Sequence, residues 1–116
     1  MKKIYHLETD RDLINYFSEV LGKRYHALNL EDVLMADIKK KGAVLLVGDF
    51  TEDVKDIKEI LGNLSKYHQV IFYSNDNKLE AEFRSKFSKF HRKYHFKHKD
   101  AYSEYEILYL IETLSK

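Results

Sequence analysis

The run Ala43-Val44-Leu45-Leu46-Val47-Gly48 is the most apolar stretch of this chain, and Asp49 follows it directly. A run so short, β-branched and apolar at successive positions has no polar side to turn to water. It reads as a strand buried on both faces. Such strands belong to sheets covered by helices, and their C-terminal ends open onto the crevice where α/β sheets bind ligands. Asp49 is therefore a carboxylate placed at the mouth of a crevice.

Strand and helix signals alternate through the rest of the chain. Residues 3–7 form a strand-like run, and Thr9, Asp10 or Asp12 can cap the helix that follows. That helix carries Leu13, Tyr16, Phe17, Val20 and Leu21 on one face, with Gly22 at its C-terminal end. Residues 25–30 read as a second strand ending at Glu31-Asp32, and Val33, Leu34 and Ile38 suit a short second helix. The third helix is expected over 54–64, the fourth strand over 69–73 and the fourth helix over 78–90. The fifth strand is expected over 94–97 and the last helix over 102–114, with Ile107, Leu108, Leu110, Ile111 and Leu114 as its apolar positions. Five βα units predict a parallel sheet with right-handed crossovers, in one domain spanning residues 1–116.

Composition narrows the function. The formal net charge is +1, so bulk charge points to no polyanionic partner. Cysteine is absent, which rules out disulfides and thiolate metal sites. The opening Met-Lys-Lys-Ile lacks the apolar core of a signal peptide, and no run nears the roughly 18 apolar residues that span a bilayer. A cytoplasmic protein with no membrane association is the expectation. There is no G-x-G-x-x-G, no Walker loop and no G-x-S-x-G elbow, so an enzyme is not expected. His91, His95 and His98 fall on a helix end, a strand and a loop, which does not make a metal triad. His6, inside the first strand, reads as a core residue.

The polar residues at the ends of the expected strands form a coherent set. Glu8-Thr9-Asp10 ends the first strand, Asp49 the third, Ser74 the fourth and Lys97 the fifth. In a parallel sheet these all lie along one edge. Clustered carboxylates repel, and a hard divalent cation such as Mg²⁺ relieves them through oxygen ligands. Asp49 could then act as a nucleophile toward a phosphoryl group, with Lys97 and Ser74 binding its oxygens. Positioning and charge neutralisation are the main requirements of such a transfer.

These stretches resemble the receiver domain of bacterial two-component response regulators over essentially the whole chain. Lys3-Ile4-Tyr5-His6-Leu7-Glu8-Thr9-Asp10 is similar to the first strand and acid pair. Leu45-Leu46-Val47-Gly48-Asp49-Phe50 is similar to the phosphoacceptor strand, and Val70-Ile71-Phe72-Tyr73-Ser74 to the strand ending in the switch hydroxyl. Tyr94-His95-Phe96-Lys97 is similar to the last strand, with its aromatic and its lysine. The resemblance implies a flavodoxin-like (βα)5 fold, doubly wound, with strand order 2-1-3-4-5. It implies a signalling module that takes a phosphoryl group on Asp49 from a sensor histidine kinase or another signalling protein. Lys97 would pair with that group, Ser74 would move to hydrogen-bond it, and Tyr94 would turn inward. The face formed by the fourth helix, fifth strand and fifth helix would then change, and could also support a homodimer. Mg²⁺ would be held by Glu8, Asp10, Asp49 and the carbonyl of Thr51.

Three features depart from the family pattern. The register puts Thr9 where the second acid belongs, and Asp10 replaces it only if the loop shifts by one residue. The prolines of the family are absent, and Asn75 follows Ser74 where a small residue is usual. A second expectation follows: a pseudo-receiver that works as a protein-interaction or dimerisation module without phosphorylation. A third comes from the segment 83–99, which interleaves Arg84, Lys86, Lys89, Arg92, Lys93, Lys97 and Lys99 with aromatics and has no acid. Such a stretch can bind nucleic acid. The simpler reading makes Phe83, Phe87 and Phe90 core and the charges a solvated face that an acidic partner would meet.

Overall fold

In a computed structural model of the chain, residues 2–28, 43–49, 69–75, 81 and 94–115 are described. Five strands are present: β1 (Ile4–Leu7), β2 (Tyr25–Leu28), β3 (Val44–Val47), β4 (Gln69–Tyr73) and β5 (Tyr94–Lys97). They form one sheet in the order β2-β1-β3-β4-β5, and every pairing is parallel. Ile4 lies level with Tyr25 on one side and Val44 on the other, while Val47 lies level with Phe72. This register brings the C-terminal ends of β1, β3 and β4 to one rim. The fold is α/β, with β2 and β5 as the edges.

Among the described residues two α-helices are seen, α1 (Arg11–Leu21) and α2 (Ser103–Leu114). The helices expected over 33–39 and 54–64 lie outside the described residues. Of the one expected over 78–90, Ala81 is described and is helical. Both α1 and α2 pack on the same face of the sheet. Phe17, Leu21, Ile107 and Ile111 meet Ile4, Val44, Leu46, Ile71 and Tyr73 in one cluster. Fully burying such side chains stabilises by about 1.5–3 kcal/mol each. The alternate residues Leu45, Val47, Val70 and Phe72 are buried on the opposite face. The central strand β3 is therefore apolar at every position because neither face meets water.

Helix α1 starts where Asp10 caps it, its carboxylate accepting from the amides of Asp12 and Leu13. It ends at Gly22, whose φ of 62° suits a residue without Cβ. Its buried positions are Phe17 and Leu21, and Val20, expected on the core face, is exposed instead. Val20 lies about 60° round the helix from Phe17 at 100° per residue, at the margin of the apolar stripe.

Candidate functional site

Glu8 is the hub of the rim. Its side chain is 0 % exposed and accepts from four N–H donors. Oε2 takes the backbone amides of Thr9 (2.9 Å), Asp10 (3.3 Å) and Asp49 (3.0 Å), and Oε1 takes the Lys99 ammonium (2.5 Å). A buried carboxylate needs this degree of satisfaction. Gly48 makes room for it, since a Cβ there would lie 2.6 Å from Glu8 Cδ. The backbone closes the same corner: Thr9 N–H also donates to the Asp49 carbonyl (2.9 Å), and Gly48 N–H donates to that of Leu7 (2.7 Å).

Asp49 emerges beside this hub with its side chain 47 % exposed. Ser74 Oγ donates to Oδ1 (2.7 Å) and Lys99 Nζ to Oδ2 (2.7 Å). Partial burial pushes the Asp49 carboxyl up, but the hydrogen bonds from Lys99 and Ser74 and the Lys99 charge outweigh it and hold the group below its ordinary range. Burial likewise opposes the Lys99 charge, yet its bonds to Asp49 and Glu8 raise its pKa on balance. One ammonium thus bridges two carboxylates. It also stands 5.7 Å from the centre of the Tyr73 ring.

The lysine of the rim is Lys99, and the expectation of Lys97 is corrected. Lys97 lies level with Tyr73 in the sheet and reaches sideways toward Glu106 of α2, 3.6 Å away, with 46 % of its side chain exposed. Two residues further on, the chain has passed the end of the sheet, and a lysine there extends across the ends of β4 and β3. Asn75 holds that loop: its Oδ1 accepts the Lys99 amide (2.7 Å) and its Nδ2 donates to the Lys99 carbonyl (3.3 Å). Ser103 anchors the other side by donating to the Asp100 carbonyl (2.6 Å). Its one hydroxyl proton is spent there, so Tyr73 O–H donates to Ser103 Oγ (2.6 Å). The signal for Lys99 was present in the sequence as a second lysine of the same spacing parity. Choosing between the two requires knowing where the strand stops.

Glu8, Asp49 and Ser74 meet as expected, while Asp10 turns away to cap α1. Thr51 lies outside the described residues, as does the Tyr94 side chain. The expected Mg²⁺ does not suit the donors in place. Both Glu8 oxygens are already engaged by N–H groups, Thr9 offers no carboxylate, and the Asp10 carboxylate serves its helix. Among the described residues no group of three acidic, histidine or cysteine side chains is placed to hold a metal ion. Nor is any described helix long and apolar enough to cross a membrane. No family model, curated protein or solved structure matches this chain.

Proposed function

We propose that this chain is a receiver-like signalling module of flavodoxin-like (βα)5 type that acts through protein contact, without metal-dependent phosphoryl transfer. The observation that carries the reading is the Lys99 ammonium set between Glu8 and Asp49, 2.5 and 2.7 Å from their oxygens. Lys99 thereby offsets one of the rim's two negative charges from within the chain, and Glu8 is wrapped by backbone amides. Loop 98–100 and the start of α2 are fastened to this rim through Lys99, Asn75 and Ser103. A partner that engages the loop or α2 therefore acts on the same connected unit.

A second reading, acceptance of a phosphoryl group on Asp49 from a histidine kinase, draws on one feature. Asp49 is ionised and half exposed, with a hydroxyl and an ammonium on its two oxygens. Titration of the isotope-labelled chain with Mg²⁺ and then beryllofluoride separates the two. The first reading expects no saturable amide shift at Gly48, Asp49 or Ser74 at millimolar metal. A saturable response at these residues would overturn it in favour of the second. Most of the segment 83–99, on which the nucleic-acid expectation rests, lies outside the described residues.

A further inference from the structure

The net charge of +1 conceals a separation of charge along the strands. All five strands are parallel, so all begin at one edge of the sheet, the edge opposite Asp49. Hydrogen bonds join that edge: Val44 N–H donates to the Lys3 carbonyl (2.9 Å) and Gln69 N–H to that of Ala43 (3.1 Å). The stretches leading into the strands are residues 1–3, 22–24, 39–43, 65–68 and 91–93. Together they hold ten of the chain's 20 lysines and arginines and none of its 19 acids. An even spread would put about three of each there. The stretches that follow the strands, 8–10, 29–32, 48–53, 74–77 and 98–101, hold nine acids and one cation, Lys99.

Four of the ten cations are described. Lys2 and Lys3 lead into β1, and Lys23 and Arg24 into β2, where Ile4 lies level with Tyr25. Lys2 donates to the Leu114 carbonyl (3.1 Å) and Arg24 pairs with Glu112 (2.5 Å). Lys3 and Lys23 are exposed and make no ion pair among the described residues. The other six lie outside the described residues. Sequence ties them to the same edge, since each is within five residues of a strand start at no more than about 3.8 Å per residue. Helix C-termini also attract cations, as the end of α2 attracts Lys2, but that attraction acts within the last turn. It does not account for ten cations without an acid. The last turns of the helices, seen or expected, add only Glu19, Asp37 and Glu112 as acids.

We propose that this edge binds the phosphate backbone of a nucleic acid without reading its sequence. Five strands about 4.8 Å apart set the cations along a line of about 19 Å. A line of positive charge matches a linear polyanion, whose backbone carries one phosphate for about every 3.4 Å of rise along each strand. Eight of the ten cations are lysines, whose compact charge suits phosphate oxygens more than planar base edges. An anionic membrane is the weaker match. Ile4, Ala43 and Val44, the apolar residues where β1 and β3 begin, are buried and not offered for insertion. The edge shares only Arg92 and Lys93 with the segment 83–99. It lies at the far end of the sheet from Asp49, and the Mg²⁺ titration does not bear on it.

The test follows the fluorescence anisotropy of a labelled DNA duplex of about 20 base pairs as the full chain is added. Saturable binding is expected, with a Kd of about 10 μM or tighter at about 50 mM salt, weakened about tenfold or more at about 150 mM. A second duplex of different sequence should bind within about twofold of the first. Each lysine that contacts phosphate contributes about one to the slope of log Kd against log salt. Lys3→Gln/Lys23→Gln should therefore lower that slope by about two and weaken binding severalfold. Lys97→Gln, at the other end of the sheet, should change neither. Amide spectra check that each variant keeps the wild-type fold. Absence of saturation, binding indifferent to salt, strong discrimination between the duplexes or an unchanged slope in the double variant would overturn the proposal. So would a slope that Lys97→Gln lowers as much as the double variant does. Capture by phosphatidylserine vesicles with no binding of the duplex would also overturn it, assigning the edge to a membrane.

Discussion

Lowering the pH from 7 to 5 should destabilise the fold through one buried imidazole. His6 is wholly buried in β1, with Nδ1 2.7 Å from the Tyr25 hydroxyl and the Phe17 ring against its edge. Its Nε2 meets no hydrogen-bond partner among the described residues. Burial first, and then the charge of Lys99, lowers its pKa from 6.5 to about 3. The unfolded chain therefore binds the His6 proton between those values and the folded chain does not. Stability from this group is present above the unfolded value and is lost as the pH falls toward 3. At pH 7 little is at stake, because the unfolded imidazole is mostly neutral as well. At pH 5 the unfolded imidazole is almost fully protonated, and the difference between the two conditions is about 2 kcal/mol. Urea unfolding at both pH values, on the wild type and on the double variant His6→Phe/Tyr25→Phe, isolates the effect. The variant removes both members of the bond, and whatever it costs at pH 7 cancels in the comparison. The wild type should lose about 2 kcal/mol more than the variant between pH 7 and 5. Equal losses, within about 0.5 kcal/mol, would refute the assignment of a buried neutral His6.

The two lysines of the fifth strand region should behave oppositely. Lys99→Met leaves the buried Glu8 carboxylate without its cation and should cost about 3–5 kcal/mol in chemical unfolding, whereas Lys97→Met should cost under about 1 kcal/mol. Similar costs for both would mean the rim is not built around Lys99. Gly48→Ala should destabilise by about 1–3 kcal/mol through collision with Glu8, and that cost should largely disappear in a Glu8→Ala background. An undiminished cost there would place the conflict somewhere other than the Glu8 side chain.

The strands were legible because a strand buried on both faces leaves no choice in its residues. The runs ending at Leu7, Val47 and Tyr73 are each short, mostly apolar and closed by a polar residue, and each forms a strand within a residue of its expected start. Helix α1 was legible from its cap and its spacing, except at Val20, where periodicity alone does not say how wide the buried stripe is. The rim was half legible. Glu8, Asp49 and Ser74 follow from strand ends, since parallel strands bring their C-terminal ends to one side. Asp10 was one of three cap candidates, and the role of Lys99 did not follow, because it depends on a choice between two chemically alike lysines.

By itself the sequence determined the alternation of elements, the apolar centre of the sheet and the polarity of its rim, all consequences of local pattern and of chain direction. Only the tertiary structure decided that Lys99 and not Lys97 crosses to the carboxylates, that Asp10 among three candidates caps α1 and that Glu8 is enclosed above Gly48. These depend on where a strand ends by ångströms, on which amides remain unpaired there and on the room left by a missing Cβ. Such distances between segments far apart in the chain are set by packing, and no local pattern of residues encodes them.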